Sequence, residues 1–273
     1  MIDAHVHVIA GDPARYPVQP DPPAWPVVTG ERLLEEMDRS GIERAMLVQS
    51  FFTYGFDNSY AIDCAARAPD RFQVVAVIDQ LADDAPAVLT DLVERHGVRG
   101  VRFMPKGMPD GVLWDARTFP VWERAGELGI PVTIAAEIQH LAPMPEVVSR
   151  FPDVTVCFEH MWGVEVDRPP FAGLAELRAL APFENVHLKL APNNDWAARE
   201  AGFEPRELFA HLIDVFGLDR LLWGSNYPAH PARFGGYPDR LEVMREDLAF
   251  LSDADQDAFF GGNAARIWPA ATP

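Results

Sequence analysis

Polar and apolar side chains alternate over Met1-Ile2-Asp3-Ala4-His5-Val6-His7-Val8, the period of a β-strand. The alternation predicts that Asp3, His5 and His7 face one way and Ala4, Val6 and Val8 the other. Two histidines at i and i+2 stand about 7 Å apart along a strand. Both imidazoles can then converge on one metal ion, one water or one substrate oxygen. Residues 9–28 hold Pro13, Pro17, Pro20, Pro22, Pro23 and Pro26, a density that no regular element tolerates. Because this segment directly follows the histidine pair, it is expected to loop over a site.

The later pattern repeats one unit. Thr29 caps a helix through Ser40 that buries Leu33, Leu34 and Met37 and stops at Gly41. Further strands are predicted at Arg44–Gln49, Phe72–Ile78, Val98–Phe103, Pro131–Ala136, Val154–Glu159, Asn185–Leu190 and Arg220–Trp223. Helical periodicity falls between them, over Asn58–Ala68, Pro86–His96, Phe119–Leu128, Pro145–Phe151, Leu174–Leu180 and Arg206–Phe216. Arg240–Leu251 and Asp255–Ile267 read as closing helices. Short apolar strands separated by helices imply parallel pairing with both sheet faces covered. Eight such units predict an α/β fold, a closed (β/α)8 TIM barrel built as one domain over residues 1–273. An open doubly wound sheet would carry a glycine-rich turn after its first strand; a His-x-His stands there instead.

Composition narrows the function classes. The formal net charge of −18 argues against nucleic acid or an anionic membrane as partner. No run of about 18 apolar residues exists to span a bilayer, and the start lacks the regions of a signal peptide. Cys64 and Cys157 are the two cysteines. They read as buried packing rather than a disulfide framework, and a reducing cytoplasm is the simplest location. A small molecule is the expected partner, with homo-oligomerisation left open.

Barrel chemistry gathers at the carboxyl ends of the strands, and polar residues recur there. They are His5 and His7, then Gln49, Ser50 and Tyr54, then Asp79. Arg102 and Lys106 follow on strand four, and Glu137 and His140 after strand five. Strand six runs into Glu159-His160-Met161-Trp162. Strand seven gives Lys189, Asn193 and Asn194, and strand eight Ser225-Asn226-Tyr227, with His230 beyond. His96, His187 and His211 fall on helices or in mid-strand and read as structural.

The chain resembles the amidohydrolase superfamily, in its amidohydrolase-2 branch of metal-independent and metal-dependent lactonases and some decarboxylases. The resemblance is carried by Ile2-Asp3-Ala4-His5-Val6-His7, Gly41-Ile42-Glu43-Arg44-Ala45, Asp57-Asn58-Ser59-Tyr60, Arg71-Phe72 and Gly97-Val98-Arg99-Gly100-Val101-Arg102-Phe103. It continues through Glu159-His160-Met161, Val186-His187-Leu188-Lys189-Leu190, Leu222-Trp223-Gly224-Ser225-Asn226-Tyr227-Pro228 and Gly262-Asn263-Ala264-Ala265-Arg266. The order and spacing of these pieces make the match specific, and within the branch they look most like lactonases of sugar lactones and of pyrone or muconolactone carboxylates. The likeness implies a metal-dependent-hydrolase barrel with His5, His7 and His160 at its core. It also marks two departures. Relatives place an Asp where this chain has Asn226, and an amide cannot act as a general base. Relatives often place a His on strand five, where this chain has Ala135, with Glu137 two residues on.

Lactone hydrolysis needs an activated water, an oxyanion stabiliser and a proton for the leaving oxygen. With a divalent metal bound, zinc first, His5, His7 and His160 would leave an open fourth position. Without metal, a protonated histidine would stabilise the oxyanion directly. Glu137 is the replacement base or a solvated strand-end carboxylate, and Asn226 orients water or substrate. Arg102 suits a substrate carboxylate through its planar fork, or pairs with an acid such as Asp79. Gln49, Tyr54 and Lys189 are further substrate contacts, with Lys189 alternatively paired to Glu159. Trp162 and Tyr227 are expected to wall the pocket. A decarboxylase, an amidase and a non-catalytic ligand-binding barrel are the competing readings.

Overall fold

The computed structural model describes residues 1–105, 111–135, 137, 140–161 and 167–270. Among these, eight parallel strands lie in sequence order: β1 Ile2–Val6, β2 Arg44–Val48, β3 Phe72–Val77, β4 Gly100–Phe103, β5 Val132–Ile134, β6 Val156–Glu159, β7 Val186–Leu190 and β8 Leu221–Trp223. The intervening helices are α1 Gly30–Ser40, α2 Phe51–Tyr54, α3 Ser59–Arg67, α4 Ala85–His96, α5 Phe119–Glu127, α6 Met144–Arg150 and α7 Ala175–Arg178. They continue as α8 Pro192–Glu200, α9 Pro205–Phe216, α10 Pro231–Phe234, α11 Tyr237–Asp247, α12 Asp253–Asp257 and α13 Asn263–Ile267. No described helix is long and apolar enough to cross a membrane.

The seam between β8 and β1 is drawn together just beyond β8. Asn226 N donates to His5 O at 2.8 Å, and His7 N donates to Tyr227 O at 2.7 Å. The backbone that carries the candidate site therefore also completes the barrel. Gly224 is required for this approach, because a Cβ there would lie 2.7 Å from the His5 Cβ.

Two apolar layers follow from strand alternation. Ile2, Ala4, Met46, Val48, Val75, Cys157 and Leu222 pack inside the barrel. Ala45, Leu47, Val74, Ala76, Val101, Val132, Val156 and Leu188 face the helices. Trp268 joins the inner cluster from the carboxyl-terminal segment, and its indole donates to Arg99 O at 3.0 Å. Thr29 caps α1 by accepting from Arg32 N at 3.2 Å, and Gly41 ends it with φ 68°, as the sequence implies.

Three local expectations give way to the structure. First, β1 does not alternate throughout. Its register with β2 shifts between Asp3 and Val6. Asp3 faces the helices, where the Tyr237 hydroxyl donates to it at 3.0 Å, while Ala4 packs inside the barrel and the bulge brings His5 inward as well. Second, α8, Pro192–Glu200, forms between the expected strand and the expected helix, where no element is predicted. Pro192 opens it, a favoured first helical position, and the Asn194 side chain accepts from Ala191 N at 2.9 Å. Third, Asp255–Ile267 is not one helix, since a π-turn at Ala258–Gly262 separates α12 from α13.

α8 and α11 meet through an acid pair. Arg199 donates to Asp195 Oδ1 and to Asp247 Oδ1, each at 2.8 Å. Burial, then hydrogen bonding to and repulsion by Asp195, push the Asp247 carboxyl up to about 8 against the pull of Arg199. The folded chain thus keeps a proton that the unfolded chain releases near pH 4. This stabilisation is complete below the unfolded value and is lost as pH rises through about 8. The melting temperature of the wild type should fall between about pH 5 and pH 8, and Asp247→Asn should flatten that slope. Parallel slopes in thermal melts would contradict the assignment.

Candidate active site

The site grows out of the histidine pair. His7 Nδ1 lies 2.6 Å from Val48 O. A carbonyl only accepts, so this nitrogen carries the proton and the neutral ring bares Nε2. His5 Nε2 stands 3.3 Å from that bare nitrogen. On its other side, His5 Nδ1 is 3.5 Å from Glu159 Oε1. His160 reaches the same place from β6. Its backbone turns left-handed at φ 56°, and Met161 follows at φ 45°, conformations that cost free energy and need outside support. His160 N donates to Lys189 O at 2.8 Å, and the Asn194 amide donates to His160 O at 2.8 Å. The His160 ring then packs edge-on against His5, with centroids 4.3 Å apart. Neither His160 ring nitrogen has a hydrogen-bond partner among the described residues.

Beneath the imidazoles lies a buried charge cluster. Arg102 donates to Glu159 Oε2 through Nε at 2.9 Å and lies 2.7 Å from it through Nη2. Lys189 Nζ, fully enclosed, is 3.9 Å from Glu159 Oε1 and 5.1 Å from the Trp268 ring centre. Burial would raise the Glu159 carboxyl, but Arg102 and Lys189 hold it down to about 2. Burial, reinforced by His160, His7, Lys189 and Arg102, takes His5 well below the usual imidazole range. Burial and Arg102 lower His7 to about 4. Burial lowers His160 to about 3 although Glu159 opposes it. All three rings are neutral at neutral pH.

A cavity of about 260 Å³ opens above them. His7, His160, Arg102 and Asn226 line it with Ser50, Asn193 and His230, and Pro23, Trp25, Phe51, Phe52 and Ala229 supply apolar wall. His5 lies below, without exposure. Asn226 Nδ2 donates to Asn193 Oδ1 at 3.1 Å, so two amides form one polar edge. The Trp25 ring stacks on His7 at 5.5 Å and 22°, which places the proline-rich segment over the site. A larger cleft of about 520 Å³ opens near α3 and α4. Asp57, Asp63, Asp79 and Asp84 supply much of its polarity, and His96 is the single imidazole in its described lining.

Several expected contacts lie elsewhere. Arg102 lines the cavity but spends two donors on Glu159, rather than on Asp79 or a free anion. Lys189 sits inside the barrel below the cavity wall. Gln49 donates to Gly55 O and Asp57 O at 2.9 and 2.7 Å, which braces the turn after α2. The Tyr54 hydroxyl accepts from Ala10 N at 2.7 Å and anchors the proline-rich segment. Tyr227 packs on Tyr237, with centroids 5.5 Å apart. Gln49, Tyr54 and Tyr227 are buried and absent from the cavity wall. Glu137, the candidate base, is half-buried, and its backbone N–H donates to His140 Nδ1 at 3.2 Å. It too is absent from the described wall. Trp162 and Lys106 fall outside the described residues. Sequence reasoning passed over Trp25, Phe51, Phe52 and the role of Glu159. The one usable signal was the tryptophan inside the proline-rich segment.

A metal fits this donor set only in part. Zinc–nitrogen bonds of about 2.0–2.1 Å are compatible with two nitrogens 3.3 Å apart, as in His5 and His7. Yet no group of three His, Cys, Asp or Glu among the described residues is placed to hold an ion. His160, expected as third ligand, lies edge-on to His5 at 70°, and Asn226 offers the cavity an amide rather than a carboxylate. The described residues thus do not complete a resident metal centre.

Comparison with known proteins agrees with this architecture. The chain is 29% identical over 287 residues to an L-fucono-1,5-lactonase of Burkholderia ambifaria, covering 98% of this chain and 94% of that one. It is 30% identical over 277 residues to a 4-sulfomuconolactone hydrolase of Rhizobium radiobacter, covering 97% and 89%. An amidohydrolase structure from Burkholderia multivorans with bound zinc superposes with a TM-score of 0.76 at 19% identity, over 99% of both chains. The amidohydrolase family model matches residues 2–270, and the chain belongs to the amidohydrolase family.

Proposed function

We propose that this protein hydrolyses a lactone, with His160 as the acid–base group. The observation that carries this reading is the His160 imidazole. It is neutral, unpartnered at both nitrogens among the described residues, and set on the cavity wall with His7, Arg102 and Asn226. Hydrolysis of a ring ester is the activity named in the two relatives described above, each aligned along nearly the whole chain.

The chemistry follows from charge. His160 takes a proton from water as the water oxygen adds to the lactone carbonyl. The carbonyl oxygen becomes negative beside Arg102 and the Asn193–Asn226 amide edge, where fixed donors stabilise it. In the free protein, burial and the neighbouring cations disfavour imidazolium. The negative charge that develops on the substrate offsets those cations and raises imidazole basicity at the moment of transfer. When the tetrahedral intermediate collapses, the C–O ring bond breaks and His160 returns its proton to the departing oxygen. The product is the open hydroxy acid. His7 and Asn226 hold the water and the carbonyl in register. Asn226 has no basicity, so no carboxylate on β8 competes for the proton.

The same geometry supports a ring with no charged substituent against Arg102. Glu159 already occupies two donors of that guanidinium, at 2.7 and 2.9 Å, so a substrate carboxylate there would compete with a buried ion pair. Trp25, Phe51 and Phe52 suit the apolar face of such a ring, and Ser50, Asn193, Asn226 and His230 suit neutral hydroxyl groups.

His160→Ala should lower kcat/KM by roughly 10²–10⁴-fold, and unchanged turnover would remove the assignment. For the wild type, kcat/KM should show no break near pH 6.5 and should decline only as pH falls toward about 3 to 4. A neutral aldonolactone should be opened at least about tenfold faster than a muconolactone carboxylate, with activity retained in chelator. Preference for the carboxylate, or loss of activity in chelator that zinc restores, would overturn the substrate and metal readings respectively.

A further inference from the structure

Arg240 lies on α11, far from the histidine motif in sequence, and is fully buried. Burying a guanidinium is costly unless its charge and donors are satisfied. Its hydrogen-bond partners are all backbone carbonyl oxygens, and they belong to one loop. Nη1 donates to Ser225 O at 3.2 Å and Asn226 O at 2.9 Å. Nη2 donates to Ala229 O at 2.6 Å and Gly235 O at 3.3 Å, and Nε donates to Gly235 O at 3.3 Å. Tyr227 and Phe234 cover the group, their ring centres 5.3 and 5.5 Å away. One guanidinium thus grips both ends of the segment from Ser225 to Gly235.

That segment delivers Asn226, Ala229 and His230 to the cavity, and Asn226 and His230 have left-handed backbones, at φ 51° and 49°. Such conformations persist in non-glycine residues only when the surroundings over-determine them. Asn226 is also tied through its N–H to His5 O at 2.8 Å, and Asp3 Oδ1 accepts from Ser225 N at 2.9 Å. Further along, His7 N donates to Tyr227 O at 2.7 Å and Ala229 N to Asn226 O at 3.0 Å, but none of these ties reaches past Ala229. The guanidinium joins Asn226 and Ala229 to Gly235, and so spans His230.

We propose that Arg240 is a positioning residue of the active site, which acts through Asn226 and His230 by holding their left-handed backbones. The fork geometry is essential. A lysine places a single ammonium where five contacts diverge. The catalytic consequence rests on the hydrolytic reading above, but the mechanical one does not.

The test uses full-length Arg240→Lys and Arg240→Ala, with hydrogen exchange read by mass spectrometry alongside kinetics on a neutral aldonolactone. Exchange should accelerate in residues 224–236 and stay at the wild-type rate in β3. In folded Arg240→Lys, kcat should drop by about 10²-fold, the scale of a small misplacement of reacting groups, while KM moves less than about threefold. Free guanidinium should restore part of kcat in Arg240→Ala. Unchanged exchange in residues 224–236, a kcat loss that matches only the fraction unfolded, or no recovery with guanidinium would each overturn the proposal. If the wild type itself opens no lactone, the functional reading fails while the exchange data still decide whether the clamp exists.

Discussion

Glu159 is the buried carboxylate on which the site turns. Arg102 holds one of its oxygens at 2.7 and 2.9 Å, while the other faces His5 at 3.5 Å and Lys189 at 3.9 Å. Removing Glu159 would leave two uncompensated cations inside the barrel, which costs far more than the intact cluster. Its electrostatic effect reaches the cavity. Two cationic side chains share one carboxylate, and the surplus disfavours a further positive charge on the imidazoles above. The rings stay neutral, and the cavity floor is prepared for negative charge on a substrate.

Fold and site use the same hydrogen bonds. The seam is drawn together where Asn226 N meets His5 O and Tyr227 O meets His7 N. Asp3 adds a bridge, with Oδ1 accepting from both His5 N and Ser225 N at 2.9 Å. A change that loosens the seam therefore moves cavity-lining side chains directly. Gly224 shows how little slack exists, since even a methyl group at that position would meet His5.

Much of this was legible in the sequence. Alternation and helical periodicity were enough for eight strands and the longer helices between them, though not for α2, α8 or α10, because each predicted element buries a regular face. The histidine pair, His160 and Asn226 stood out as polar residues at strand ends. The β1 bulge was not legible, because Asp3 fits perfect alternation as well as His5 does. Glu159 read as the partner of Lys189, and its contacts with Arg102 and His5 depend on barrel closure. Arg240 was invisible as a site residue, since an arginine on a late helix ordinarily faces water. Trp25 lay within a segment correctly expected over the site, but proline-rich backbone has no period from which to infer direction.

The most direct test of the shared carboxylate is nitrogen NMR of histidine-labelled protein, wild type against Glu159→Gln, followed through pH. The account predicts that His5, His7 and His160 stay neutral in the wild type at pH values where a free imidazole is protonated, and that their titrations shift together when Glu159 loses its charge. A positively charged His160 at neutral pH, or rings that titrate identically in both proteins, would contradict it.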